Sequence, residues 1–384
     1  MKSILIISFS SIPHDARVSR QIEFLKSSNK LTVAAFDFTP NSEINYIQIS
    51  RPNLSIQNKL ILAFFLFFRF HNIAYKMLYG HPSLKKKIGQ ESFDLIIAND
   101  IESLPLAFQL GLTGKVILDA HEYAPRQFED KLSWRIFFQP LNISICKKFI
   151  GKVSAMTTIG KGIAEEYKKN FECDPVVINN ATWHNEINPA FNTSNKIRLI
   201  HHGVATVSRH LENMIEMMRF LDDRFTLDLM LVIPEMASSK TRNYISYLRN
   251  LAHRDSRINF LPAVKSDEVI PVINQYDVGI IIVPSVNFNY ANGLPNKLFE
   301  FIQAKLAICV GPIPEIAEIV KSYDIGIAND NFDPKEVASK LSKITNDHLI
   351  RFKTNCVKAS AELSAEKNSI LFNELVKKTF ANKN

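Results

Sequence analysis

Short, continuous apolar runs recur along this chain, and each is followed by a longer stretch with helical spacing. SILIISF (Ser3–Phe9), LTVAAFD (Leu31–Asp37), FDLIIAND (Phe93–Asp100), KVILDAH (Lys115–His121), AMTTIG (Ala155–Gly160) and PVVINN (Pro175–Asn180) read as strands. RVSRQIEFLKSS (Arg17–Ser28) and the stretch Lys161–Phe171 repeat apolar residues at helical spacing. Strands that are apolar throughout, rather than alternating, belong to parallel sheets covered by helices on both faces. A polar stretch, NNATWHNEINPAFNTSNK (Asn179–Lys196), interrupts the series with linker chemistry. The alternation then restarts. Ile197–Gly203, Leu227–Ile233, Ile258–Val264, Val278–Ser285 and Leu306–Gly311 read as strands, and Arg209–Leu221 as a helix. The expectation is an α/β chain of two doubly wound domains, joined near residue 180 and facing a central cleft. Ligands in such sheets bind beyond the carboxyl ends of the strands.

Composition agrees with two soluble domains. The 384 residues are 46% hydrophobic and 22% charged, enough for two full cores. Cys146, Cys173, Cys309 and Cys356 lie far apart, which argues against a zinc site or a disulfide framework and for a reducing, cytoplasmic setting. The formal net charge of +8 suits an anionic partner: nucleic acid, an anionic membrane surface or a phosphorylated ligand. The bases come in small groups, Lys85–Lys87, Lys147–Lys148 and Lys168–Lys169, which read singly as solvated helix faces; no nucleic acid is expected. The N-terminal apolar run reads as a first buried strand rather than a signal peptide. LILAFFLFFRF (Leu60–Phe70) is about half a bilayer span. It reads either as a buried helix or as an interfacial helix resting on a membrane.

The segment NGLPNKLFEFIQAKLAICVG (Asn292–Gly311) opens with a polar turn before an amphipathic run. A helix starting near Asn296 would aim free N–H groups and the positive end of its dipole at whatever precedes it. That is an anion site, to which Lys297 adds a full charge. Gly293 allows close backbone approach, and Pro295 suits a helix start. An ordinary loop–helix junction is the alternative.

The same segment resembles the donor-binding segment of the retaining glycosyltransferases of family 4, which have the GT-B fold. In that family two Glu residues eight positions apart flank a glycine-containing loop. Glu300 matches the second, which binds the nucleotide ribose. Asn292 stands where the first Glu usually is, so it can hydrogen-bond a sugar hydroxyl but carries no negative charge. The resemblance assigns the loop Gly293, Leu294, Pro295, Asn296 and Lys297 to the diphosphate and transferred sugar, with its free backbone amides as donors. KVILDAHEYAP (Lys115–Pro125) resembles a strand end whose histidine, here His121, faces the donor sugar; a satisfied structural histidine is the alternative. Asp100 and Glu102 read as caps for the following helix. LIHHGVATVSRHLENMIE (Leu199–Glu216) is similar to the start of the family's second domain, with Gly203 making room for phosphate and Arg209 pairing with it. His210 stands where a lysine is often found. NFLPAVKSDE matches a base-binding turn, so that backbone groups of Pro262, Ala263 and Val264 would contact the nucleobase. SFSSIPHDARVSRQIEFL resembles an acceptor-side loop without its usual glycines, and His14 and Arg17 fill it. Arg17 and Arg20 read as binding an acidic acceptor, or else as a solvated helix face.

The resemblance runs from about Ile4 to Ile327 and implies a GT-B protein. Its domains would be residues 1–180 for the acceptor side and 181–360 for the donor, with the helix 361–384 crossing back to the first. It implies a metal-independent, hexosyltransferase-like transferase that takes sugar from a nucleoside-diphosphate donor, UDP-sugar favoured. The acceptor would be a glycan or lipid-linked, in surface polysaccharide biosynthesis at the cell envelope. No cofactor is expected, since the nucleotide-sugar is a co-substrate, and no Asp-x-Asp motif is placed to hold a metal. A non-catalytic nucleotide-sugar-binding or scaffold subunit is the alternative. A GT-B epimerase or phosphorylase is a third reading.

Overall fold

The structure, a computed structural model, describes residues 1–39, 42–80, 82–88, 91–110, 115–192, 194–233 and 237–381. Thr193 of the polar stretch, the side chain of Lys85 and the last three residues of the expected 361–384 helix lie outside the described residues. The chain divides into two compact units. One comprises Met1–Asn179, Asn287–Asn289 and the residues from Asn368 onward; the other comprises Asn180–Val286 and Tyr290–Lys367.

The first unit is built on β1 (Lys2–Ile7), β2 (Asn29–Ala35), β3 (Ile44–Gln48), β4 (Leu95–Asn99), β5 (Lys115–Ala120), β6 (Ala155–Thr158) and β7 (Val176–Val177). All run parallel, in the order β3-β2-β1-β4-β5-β6-β7. The order reverses between β1 and β4, so the loops after β1, β4 and β5 leave neighbouring points of one sheet edge, where such folds bind ligands. Ile4–Ile7 and Leu95–Ala98 are at most 1% exposed, the signature of a sheet covered on both faces. Asp15 caps the helix Ala16–Lys26 by accepting from the Val18 amide. The helix Ala365–Ala381 returns to this unit: Asn373 donates to the Phe24 carbonyl, and Lys115 donates to that of Thr379.

The second unit has β8 (Ile197–Val204), β9 (Phe225–Val232), β10 (Ile258–Leu261), β11 (Val278–Ile281), β12 (Ala307–Val310) and β13 (Gly326–Ala328), in the order β10-β9-β8-β11-β12-β13. These strands are parallel too, with the switch between β8 and β11. Successive residues feed opposite cores, as a period of two requires. Leu199, Leu229, Ile280 and Cys309 join one cluster, and Ile200, Met230, Ile281 and Ile308 the other.

Three local expectations are corrected. The helix read over Arg209–Leu221 is a 3-10 turn (Val207–Arg209), a helix (Glu212–Met217) and a second 3-10 turn (Met218–Phe220). His210 takes a left-handed φ of 46° and breaks the run. The strand read over Ile258–Val264 ends at Leu261, because Pro262 has no N–H to continue the ladder. Leu60–Phe70 is not a buried helix. The helix Ile56–Phe67 buries Leu62 and Leu66, while Leu60, Ile61, Phe64, Phe67, Phe68 and Phe70 stay exposed.

Candidate functional site

In the second unit the site grows from the end of β8. Gly203 has a φ of 127°, a conformation that disfavours any side chain, and it is the only glycine with positive φ among the described residues. A Cβ placed on it would sit 3.2 Å from Nη1 of Arg209 and 3.3 Å from Nζ of Lys297. Two cationic side chains therefore converge on one stretch of bare backbone. Arg209 is held there by donating from Nη1 to the Val204 carbonyl at 2.7 Å. Lys297 comes from the first turn of the helix Asn296–Gln303 and is only 8% exposed. Its Nζ lies 3.2 Å from Nε2 of His201, whose Nδ1 lies 2.8 Å from the Ile280 carbonyl. A carbonyl only accepts, so Nδ1 carries the proton and Nε2 accepts from the lysine.

The electrostatics of this cluster are unusual. Burial, and then the Arg209 charge, pull Lys297 well below its ordinary pKa. Burial and Lys297 likewise hold His201 well below its own, so it stays neutral. His202 is pushed down to about 3 for the same reasons, and its Nε2 lies 3.4 Å from Oε2 of Glu300. The helix Asn296–Gln303 begins after Pro295 with no side-chain cap. Uncapped amides, the dipole and two crowded cations all favour an anion at this point.

The first unit places a second cluster at the ends of β4 and β5. Asp119 is buried and receives hydrogen bonds from Arg17 (Nη2, 2.6 Å), Thr157 (Oγ1, 2.7 Å) and Gln21 (Nε2, 2.9 Å). Burial alone would raise its pKa, but the Arg17 and His121 charges outweigh that and hold the carboxyl well below its usual range. His121 sits between two acids: Nδ1 is 3.4 Å from Asp100 Oδ2 and Nε2 is 3.7 Å from Asp119 Oδ2. Nε2 also lies 3.2 Å from Asn99 Oδ1. Burial opposes the imidazolium, yet Asp100 and Asp119 prevail and raise its pKa to about 9. Glu102 and Glu122 nearby are pushed up to about 7, chiefly by burial and then by the Asp100 charge.

The residues singled out from the sequence fall as follows. Gly203, Arg209 and Lys297 come together. Glu300 follows one turn later, half-buried beside His202. Asn292 ends the short helix Phe288–Asn292 and is half-buried, as is Gly293. Leu294 is core, its carbonyl pinned by Asn180 Nδ2 at 2.9 Å, and Pro295 and Asn296 open the helix. Pro262, Ala263 and Val264 form the turn after β10, two strands from β8 on the same sheet edge. His14 is exposed at the end of a 3-10 turn (Ile12–His14). Arg17 and Arg20 are not a solvated helix face. The Arg17 side chain is 10% exposed, bound to Asp119 and to the Ile178 carbonyl, and Arg20 is buried. Asp100 caps nothing with its side chain; Oδ1 accepts from the His121 amide instead. His210 turns to Glu212 at 3.1 Å, so Lys297, from a distant segment, is the cation that joins Arg209.

His201 and Asn99 were missed. A histidine inside an apolar strand looks like filler until its partner lysine is known. Among the described residues no group of three or more His, Cys, Asp or Glu is arranged so that it could hold a metal ion.

No family model matches the sequence, and no curated protein matches it. Solved structures do. The sucrose-phosphate synthase of Thermosynechococcus elongatus aligns with a TM-score of 0.78 at 12% identity, over 99% of this chain and 100% of that one. An E. coli trehalose-6-phosphate protein bound with UDP-2-fluoro glucose aligns at 0.72 and 11% identity, over 99% of each chain. The Anabaena protein HepE in complex with UDP and glucose aligns at 0.67 and 12%, over 98% of this chain and 100% of that one. The chain has the GT-B fold.

Proposed function

We propose that the protein is a retaining glycosyltransferase that takes a sugar from a nucleoside-diphosphate donor, with UDP-sugar favoured. The observation that carries this is the meeting of Arg209 and Lys297 at Gly203, in front of an uncapped helix. Crowded, buried cations are unfavourable alone and become favourable when a polyanion arrives. Support for UDP comes from the similar folds: the E. coli protein is bound with UDP-2-fluoro glucose, and the Anabaena protein is in complex with UDP and glucose.

In this reading the bond between the anomeric carbon and the diphosphate oxygen breaks as an acceptor hydroxyl forms its bond on the same face. The hydroxyl proton passes to the leaving phosphate. Negative charge grows on that phosphate, and Arg209, Lys297 and the helix amides are already aimed to receive it. They supply what a divalent cation would. Glu300 binds the ribose and the turn Pro262–Val264 the base. His121, a cation held by Asp100 and Asp119, donates to a sugar hydroxyl, with Asn292 as a further hydrogen-bond partner for the sugar. The acceptor is a glycan or a lipid-linked saccharide of surface polysaccharide assembly, with His14 near its path. The protein works at the cytoplasmic side of a membrane, on which the apolar helix Ile56–Phe67 rests. No helix among the described residues is long and apolar enough to cross one.

A thermal-shift panel of UDP, GDP, ADP and CMP, run on the native chain and on Glu300→Ala, tests the donor site. One diphosphate should stabilise the native chain and lose its effect in the variant. No shift with any of them removes the proposal. Asn292 favours a second reading, a nucleotide-sugar-binding subunit without transfer. Detecting neither donor hydrolysis nor transfer, with activity appearing in Asn292→Glu, would establish that one instead.

A further inference from the structure

On the helical layer of the first unit lies a cavity of about 280 Å³ that the donor site does not use. Lys76 and Lys148 stand exposed at its rim, His71 and Ser144 line it, and Tyr75 and Ile145 are buried in its floor. Nε2 of His71 is buried and has no hydrogen-bond partner among the described residues, which is rare for a polar atom in a finished site. His71 directly follows Phe70 of the exposed apolar surface, and Ile73 just beyond it is exposed too. There Phe64, Phe67, Phe68 and Phe70 are each more than half exposed, and the rings of Phe64 and Phe68 touch at 4.7 Å between centroids. Soluble monomers seldom leave such a patch uncovered.

The two segments that build most of the surface carry charge of one sign, and the nearby acid, Glu102, is half-buried beside Tyr75, whose hydroxyl donates to its carbonyl. Residues 44–90 contain seven Lys and Arg and no Asp or Glu; residues 131–164 contain six and none. These two segments supply the helices that carry the patch and most of the cavity wall. A cationic, aromatic surface beside a polar cavity with an apolar floor matches one chemistry: a phosphate group with an acyl chain attached, presented at a bilayer surface.

We propose that the cavity binds the headgroup phosphate of an anionic phospholipid, while the aromatic face of Ile56–Phe70 seats in the adjoining acyl layer. This rests on the reading that this face meets a membrane, and it adds a discrete headgroup site to it. Lys76 and Lys148 pair with the phosphate, and the His71 Nε2–H donates to one of its oxygens.

The test is sedimentation of the full chain with vesicles of phosphatidylglycerol and phosphatidylcholine, against phosphatidylcholine alone. Losing a lysine that faces an anionic leaflet weakens binding about fivefold wherever it sits. K147A/K152A removes two charges outside the cavity and sets that baseline. K76A/K148A should lose at least a further tenfold, and F64S/F68S should abolish sedimentation. Equal losses in the two lysine pairs would mean diffuse attraction only and overturn the headgroup site. So would failure of the native chain to bind anionic vesicles. Tight binding of free glycerol phosphate at the cavity, with F64S/F68S sedimenting normally, would make the ligand a soluble phosphate and overturn the lipid. The UDP thermal shift, measured on every variant, should be unchanged; its absence would count against the donor site alone.

Discussion

Replacing Lys297 by Met separates binding from stability in a way that an ordinary core position would not. Lys297 is 8% exposed, meets Arg209 at Gly203, and donates to a neutral His201. Methionine keeps its length and removes its charge. Two opposing effects then act on the free protein. Losing the buried charge removes a desolvation penalty and the repulsion from Arg209. Losing the ammonium leaves His201 Nε2 buried without a donor, which costs about 1–3 kcal/mol. The net change in unfolding free energy should lie within about 1–2 kcal/mol of zero, read by urea denaturation. Ligand affinity has no such compensation. A charge-assisted hydrogen bond to phosphate contributes about 1.5–3 kcal/mol, so UDP should bind roughly 10- to 150-fold more weakly by calorimetry. The depressed lysine pKa adds a signature. In the free protein the unfolded chain binds more protons than the folded one between the lowered pKa and the ordinary lysine value. Stability from this group therefore rises with pH across that window. Within that window Lys297 is uncharged in the free protein and a diphosphate returns its proton, so UDP binding there should take up protons, measured as a dependence of heat on buffer ionisation enthalpy; below the window Lys297 is already charged and no uptake is expected. The variant should lose that uptake. A variant that binds UDP normally, or binding without proton uptake in that window, would refute the assignment of Lys297 to the phosphate.

Gly203→Ala should weaken UDP at least tenfold in the same assay, since its Cβ would enter the space between Arg209 and Lys297; the φ of 127° adds about 1–3 kcal/mol of strain, read by urea denaturation. Asp119→Asn should cost about 3–5 kcal/mol of stability, because it strands the buried Arg17. Its carboxyl is held below the unfolded value of about 3.9, so the contribution is full above pH ~4 and disappears only as pH falls through the depressed pKa. His121 runs the other way. Raised to about 9, its contribution is full below the unfolded value of about 6.5 and is lost as pH rises through 9; NMR titration of the ring should show that midpoint, and His121→Gln should flatten stability between those limits.

How much of this could be read in advance depended on whether the cause was local. Strands such as Ile4–Ile7 and Leu95–Ala98 announce themselves, because a sheet buried on both faces needs continuous apolar residues. β3 and β13 escaped, being short outer strands at the edges of their sheets, where one side has no neighbour to demand burial. The helix expected at Arg209–Leu221 failed on one left-handed residue, His210, which apolar spacing does not register. Leu60–Phe70 stood between two readings, a buried and an interfacial helix: its composition suits a core as well as a membrane face, and only packing could show that its aromatic face is left uncovered.

The candidate site shows the same division more sharply. Gly203, Arg209 and Lys297 could each be nominated from their own segments. That Lys297 rather than His210 joins Arg209 could not, because the two cations are 88 positions apart in the chain and meet only through the pairing of β8 with β11. The same holds for Arg17, whose sequence neighbours suggest a loop open to an acceptor and whose actual partner, Asp119, lies 102 residues away. Local pattern nominates chemistry, and the long-range partner decides its charge state. A lysine beside His201 and Arg209 is depressed, and a histidine between Asp100 and Asp119 is raised. Those opposite shifts distinguish the edge proposed to bind an anion in one unit from a charge-neutralised edge in the other, and pH-dependent UDP binding is where the difference becomes measurable.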